Sequence, residues 1–360
     1  SNSTCAWPLG GPGPGEAYEL VGHKFFVSAP MSDAFLMLAY AEGGISCFLV
    51  PRWRPNGDKN AIHINQLKDK MGNVSNASCE TELRGALGWM IGAEGRGVAN
   101  ILEMVALTRF DCAVASAAGM RQAVVQALHH CNHRSAFGAK LIDQPLMQNV
   151  LADLALEAEA ATWLGLRLAR ALDRAAKDES EALLLRIGTA IGKYWNCKRV
   201  PGHACEAMEC IGGCGVMETT MMPRLYREAP VNAIWEGSGN VQCLDVLRAI
   251  RKTPATLDAL FSDIAQAAGA NRLLDRQLQT LRDDILGPDN LPFDARTRVE
   301  KLALAWQASL LARYSSPEVA DAFCAARLGP GKGYLYGALP AGTDCRPMLR
   351  RAWPYSGGLA

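Results

Sequence analysis

No two cysteines of this chain form a Cys-x-x-Cys pair, and no matched spacing repeats, although twelve cysteines occur among 360 residues. That argues against a disulfide framework and reads as the reduced thiols of a cytoplasmic protein. An excess of one charge is also lacking. The 37 Lys and Arg against 36 Asp and Glu leave a net charge of +1, so no global attraction to nucleic acid or an anionic membrane is expected. No apolar run reaches about 18 residues without a charge, glycine or polar break, so no transmembrane helix is expected. No Gly-x-Ser-x-Gly elbow, P-loop or Gly-x-Gly-x-x-Gly turn after a strand is present. Hydrolase, NTPase and classical dinucleotide-fold readings therefore have no support.

What is present divides along the chain. With 49% hydrophobic and 20% charged residues, 360 residues should build two or three domains. Residues 17–50 read as strands, with Ala34–Tyr40 and Ile45–Val50 flanking the hairpin signal Glu42-Gly43-Gly44. Shorter β-prone pieces continue to about 91. From about 98 the character becomes helical. Met147, Leu151, Leu154, Ala158, Ala161, Leu164, Leu168 and Leu172 step by three and four, which predicts a long amphipathic helix. Another starts near Ser180. Three helical stretches, 255–286, 295–314 and 317–328, precede an irregular Gly- and Pro-rich tail. The expected domains are 1–97 (β), 98–250 (helix bundle) and 251–360 (helical extension).

Residues 224–250 are the most informative stretch. Glu236 stands between Trp235 and the turn Gly237-Ser238-Gly239, and Val241, Leu244, Leu247 and Ala249 then follow with helical spacing. A carboxylate in a loop opening a helix, desolvated beside an aromatic, would have the raised pKa a carbon-acid base needs. The alternative is an ordinary acidic helix N-terminus. His129 and His133, one turn apart with Cys131 between them, suit two ligands of a metal. No Asp or Glu completes the set, so a polar helix end is expected and no metal.

Several motifs agree with one another. Gly22-His-Lys24-Phe-Phe26-Val-Ser28 follows a strand. Trp89-Met-Ile-Gly92-Ala-Glu94-Gly95-Arg-Gly97 is a turn into a helix. Arg134-Ser-Ala-Phe137-Gly138 runs on to Gln144, and Glu209-Cys-Ile-Gly212-Gly213-Cys-Gly215 is a glycine turn. Together with Arg227, Trp235, Glu236, Gly237, Ser238, Gln242 and Arg248, they resemble the acyl-CoA dehydrogenase family. The Gln66–Ser78, Gln144–Met147 and Arg224–Asn240 phrases are similar to its AidB-type branch, the alkylation-response flavoproteins of bacteria.

The resemblance implies a partial antiparallel β-barrel domain, a four-helix bundle and a helical C-terminal extension. It implies FAD as cofactor, an acyl-CoA substrate and Glu236 as catalytic base. Cofactor contacts would come from Phe26, Ser28, Gln144, Gly212, Gly213, Gly237, Ser238 and Asn240. Arg134 and Phe137 would reach the flavin site of a neighbouring subunit, which implies a homotetramer. Trp235 and Arg248 would line the substrate pocket, and Arg109 would form an ion pair within the bundle. Phe26 stands where the family has Trp, Ser238 where Thr is usual, and Glu209 where Gln is usual. The chain starts Ser-Asn-Ser-Thr, near the middle of a usual family member, so the N-terminal helical domain is expected to be absent from it. Branch members are linked to DNA, and Arg346, Arg350 and Arg351 lie close together. A DNA-binding protection protein with a weak or vestigial dehydrogenase activity is therefore the alternative, its duplex contacts being non-specific.

Overall fold

The computed structural model describes residues 3–287, 291–330 and 333–354. The chain divides into two compact units, Ser1–Leu107 and Thr108–Ala360.

Among the described residues the first unit has six strands: β1 (Cys5–Pro8), β2 (Ala17–Val27), β3 (Ala34–Ala41), β4 (Gly44–Pro51), β5 (Ile62–Leu67) and β6 (Cys79–Ile91). Strand β2 pairs with both β1 and β6, which closes a ring in the order β2-β1-β3-β4-β6. All pairings are antiparallel except β1 with β3. The β3–β4 hairpin falls where its alternating apolar residues and Gly43-Gly44 predict. Strand β6, expected only as short pieces, is 13 residues long and pairs with three neighbours. Its polar and charged residues hid it, because only one of its faces is buried. A register shift at Gly85 moves its buried positions from Cys79, Thr81 and Leu83 to Ala86 and Met90. Tyr18, Leu20, Phe48, Val50 and Met90 fill the interior.

The second unit is helical. Helix α1 (Gly97–His133) contains the boundary between the units, and β7 (Ser135–Ala136) with β8 (Ala139–Lys140) forms a small hairpin after it. There follow α2 (Pro145–Arg174), α3 (Glu179–Ile211), α4 (Met222–Glu228) and α5 (Gly239–Lys252). The buried Asn196 of α3 donates to Ala113 O and Ala161 O at 3.1 and 3.2 Å, tying α3 to α1 and α2. Asp178 caps α3 through Ser180 N and Glu181 N, so the N-terminal signal at Ser180 lay two residues inside the true cap.

The described residues of 251–360, expected as a domain of their own, belong to the same compact unit and share its core. Helices α8 (Ala295–Tyr314) and α9 (Pro317–Leu328) match expectation at both ends. The 255–286 stretch is two helices, α6 (Ala255–Ala265) and α7 (Arg272–Leu286). Gly269 lies between them at φ +84°, and Asn271 caps α7. The irregular tail contains a short helix, α10 (Arg346–Ala352). Trp306 of α8 is fully buried against Gly188 of α3, where a Cβ would sit 2.6 Å from its ring. Glycine at 188 thus sets how closely the extension packs on the bundle.

Candidate active site

Glu236 lies in the loop between α4 and α5, with its backbone in the left-handed region at φ +58°. A residue with a side chain rarely adopts that conformation unless its surroundings impose it. Here the surroundings are three side chains. Arg109 of α1 donates from Nε to Glu236 O at 2.9 Å. Lys193 of α3 donates from Nζ to Trp235 O and Gly237 O, both at 2.6 Å. Gln242 of α5 donates from Nε2 to Glu236 O and Gly237 O at 3.2 and 3.0 Å. Gly237 follows at φ +98°, and a Cβ there would meet Gln242 Nε2 at 2.8 Å. The glycine is therefore required by both backbone and space.

Beneath the loop, Asp245 of α5 accepts from Arg109 at 3.4 Å and from Arg186 of α3 at 2.9 and 3.1 Å. The bundle ion pair expected of Arg109 is present, and the same guanidinium also holds the loop. Lys193 and Asp245 were missed by sequence reasoning. The available signal was Lys193 within Ile191-Gly-Lys-Tyr-Trp195, a lone cation in an apolar helical segment. Burial lowers the Lys193 pKa, and Arg109 adds to that. Burial raises the thiol of Cys112 and pushes that of Cys197 up to about 12.

The side chains around the carboxylate are more open than the sequence suggested. Glu236 is half-buried, and Ile234 and Trp235 are 70% and 37% exposed. Trp235 donates from Nε1 to Asn232 Oδ1 at 3.1 Å. The expected desolvating wall is thus not closed by this chain's own unit, because the loop lies at its surface. On α5 the buried face is Gln242, Cys243, Asp245, Val246, Leu247 and Ala249, whereas Val241 and Leu244 face outward.

The other site residues spread over both units. In the second, Arg134 and Phe137 belong to the β7–β8 hairpin. Phe137 and Gly138 form its two-residue turn at φ +55° and +83°, the backbone a tight hairpin demands. Phe137 is 95% exposed at the tip. Arg134 is exposed and has no carboxylate partner among the described residues. Gln144 precedes α2 and donates to Ala136 O at 3.3 Å. Gly212 and Gly213 end α3 with open space above both α-carbons. Ser238 precedes α5 without capping it through its hydroxyl.

Two residues of α5 expected at the site, Asn240 and Arg248, have the following surroundings. Asn240 accepts from Arg296 of α8 at 2.8 Å, because the extension packs there. Arg248 is about 14 Å along the helix from Gly239. It lines an apolar cavity of about 740 Å³ with Leu244, Arg251, Ile285 and Leu286. In the first unit, Phe26 and Ser28 lie at the end of β2 and just beyond it. Phe25 and Phe26 are 63% and 57% exposed and stack edge to face, with Lys68 over both rings. Among the described residues no group of three His, Cys, Asp or Glu could hold a metal ion. His129 and His133 pack ring to ring, and His133 Nδ1 is 2.7 Å from His129 O.

The profile of the acyl-CoA dehydrogenase C-terminal domain matches residues 95–251. The AidB protein of Escherichia coli (strain K12) is 48% identical over 309 residues, covering 86% of this chain and 56% of that protein. This chain belongs to the acyl-CoA dehydrogenase family. Acyl-CoA dehydrogenase family member 11 of Caenorhabditis elegans is 34% identical over 283 residues, which is 75% of this chain and 46% of that protein. The crystal structure of Caenorhabditis elegans ACDH-11 in complex with C11-CoA superposes with a TM-score of 0.83 at 29% identity. That match covers 91% of this chain and 61% of the other. The chain thus spans about half the length of the curated relatives it matches. No helix among the described residues is long and apolar enough to cross a membrane.

Proposed function

We propose that this chain carries the base and part of the cofactor site of an FAD-dependent acyl-CoA dehydrogenase of AidB type. The observation that carries the reading is Glu236: a carboxylate held in a left-handed backbone beside exposed Ile234 and Trp235, inside the segment that matches the family. Its carboxylate takes the α-proton of an acyl thioester and holds it on Oε. The donors beneath keep the group from swinging away, and Trp235 supplies an apolar wall for the acyl chain. Residues fitted to hold FAD are at hand. Arg134 offers an exposed fork suited to phosphate oxygens, Gly212 and Gly213 leave backbone uncovered, and Gln144, Gly237 and Ser238 offer amide, backbone and hydroxyl groups. In the first unit Phe26 presents a ring face and Ser28 a hydroxyl. FAD, when bound, supplies the hydride acceptor.

The exposure of Phe137, on a hairpin that leaves it no covering partner among the described residues, supports a site completed between subunits of a homotetramer. Arg134→Ala should lower flavin retention and weaken the oligomer together, as read by absorbance and sedimentation; a monomer with full flavin would end that reading. Twelve free cysteines support the reducing cytoplasm as its location. The decisive test is Glu236→Gln in the full-length protein. The isosteric amide should keep fold and flavin and slow acyl-CoA-dependent flavin bleaching by about 10²–10⁴-fold. Bleaching at the normal rate would overturn the assignment.

The DNA-binding reading, with its role in the alkylation response, has less support. Arg346 pairs with Asp344 at 3.0 Å and Arg351 with Glu159 at 2.7 Å, which removes much of the basic patch expected around α10. Anisotropy titrations with unrelated duplexes at two salt concentrations decide it; affinity that falls steeply with salt would restore it.

A further inference from the structure

Three consecutive carbonyls, those of Trp235, Glu236 and Gly237, turn inward and meet donors from α1, α3 and α5. The donors differ in kind. Arg109 also serves Asp245, and Gln242 is neutral. Lys193 is 1% exposed and has no carboxylate within ion-pair distance among the described residues. A buried ammonium without a partner anion is costly, and a neutral amide or hydroxyl could have satisfied one carbonyl more cheaply. What a lysine adds here is geometry. Its tetrahedral head reaches two carbonyls two residues apart and so spans Glu236 from both sides. It adds charge as well, since the thiols of Cys112 and Cys197, Arg109 and Glu236 are the groups that act on it.

We propose that Lys193 is a positioning residue for Glu236: by gripping the carbonyls of Trp235 and Gly237 it enforces the left-handed backbone that aims the carboxylate. The inference rests on the reading of Glu236 as the base. Free of this grip, residue 236 would relax toward an ordinary conformation. The carboxylate would move by an ångström or more while the fold and the remote flavin contacts stayed in place. Misplacement on that scale costs on the order of 100-fold in rate.

Two measurements on Lys193→Met and Lys193→Gln test this. In the flavin-free protein, amide exchange in a peptide covering 231–241 should speed up by about tenfold or more in Lys193→Met, with α2 unchanged and Lys193→Gln intermediate. In the flavin-loaded full-length protein, the limiting rate of flavin bleaching by straight-chain acyl-CoA thioesters should fall about 10- to 100-fold, with thioester affinity within about threefold. Unchanged exchange in 231–241, or faster exchange throughout the unit, would overturn the proposal. So would bleaching at the normal rate in Lys193→Met while Glu236→Gln is inactive. If Glu236→Gln bleaches normally, it is the base assignment that fails, and the exchange arm still reports on the grip. Should Lys193→Met not fold, Gln242→Met removes an independent donor from the same loop and is read in the same way.

Discussion

Among the clusters of buried polar groups in the helical unit, two are built on opposite principles. Under Glu236, two cations and an amide converge on main-chain carbonyls, and Lys193 has no carboxylate within ion-pair distance among the described residues. Between α2, α3 and α9, Arg327 donates to Asp153 and Glu157, Arg199 donates to Glu157, and Gly337 N donates to Asp153. In that second cluster every charge has a counter-charge. Burial alone would raise the Glu157 carboxyl, but the coulombic pull of Arg199 and Arg327 outweighs it and brings it down to about 2. The comparison separates two uses of buried charge. The balanced cluster fastens the extension to the bundle. The unbalanced one orients a loop, and accepts an energetic cost to do so.

Breaking the balanced cluster should have the largest effect on stability. Arg327→Met leaves Asp153 and Glu157 short of a cation and should cost about 3–5 kcal/mol, seen as a lower denaturant midpoint with flavin affinity changed only secondarily. A loss under about 1 kcal/mol would mean that water or a shifted Arg199 compensates.

Acid should loosen the same region next. His203 is fully buried, its Nε2–H donates to Leu154 O at 2.9 Å, and burial lowers its pKa to about 4. The unfolded chain takes up that proton first, so stability is whole above about 6.5 and declines as pH falls toward 4, by roughly 3 kcal/mol at most. Glu157 extends the loss below its ordinary value of 4.5. His203→Gln should flatten the decline between pH 6.5 and 4. An unaltered slope would place the titration elsewhere.

The unbalanced cluster should respond differently. Lys193→Met removes a costly buried charge along with its bonds to Trp235 O and Gly237 O, of which Gly237 O keeps Gln242. Stability should change by only about 1–2 kcal/mol, against the large rate effect expected at the loop. A loss as large as that of Arg327→Met would erase the contrast. Arg351→Ala, at a partly exposed pair with Glu159, should cost less than about 1 kcal/mol.

Much of this was legible from the chain because it depends on local rules. The period of apolar residues placed α2, α8 and α9, and the glycines at 43 and 44 placed the β3–β4 turn. The Trp-Glu-Gly-Ser phrase pointed to the candidate site. What escaped reading depends on neighbours distant in sequence. Strand β6 shows one face to solvent, so its pattern was diluted. The 255–286 stretch breaks at Gly269, whose φ of +84° nothing in the apolar period announces. Arg346 and Arg351 looked like a basic patch until the fold brought Asp344 and Glu159 to them.

The sequence by itself determined the family, the helical bundle and the carboxylate, since residue types at fixed spacing carry all three. Tertiary structure alone decided how that carboxylate is held. Arg109 and Lys193 lie 127 and 44 residues away from the carbonyls they bond, and only packing of α1 and α3 brings them there. A donor's value is set by the acceptor it meets and by the exclusion of water around it, and neither exists until the helices close.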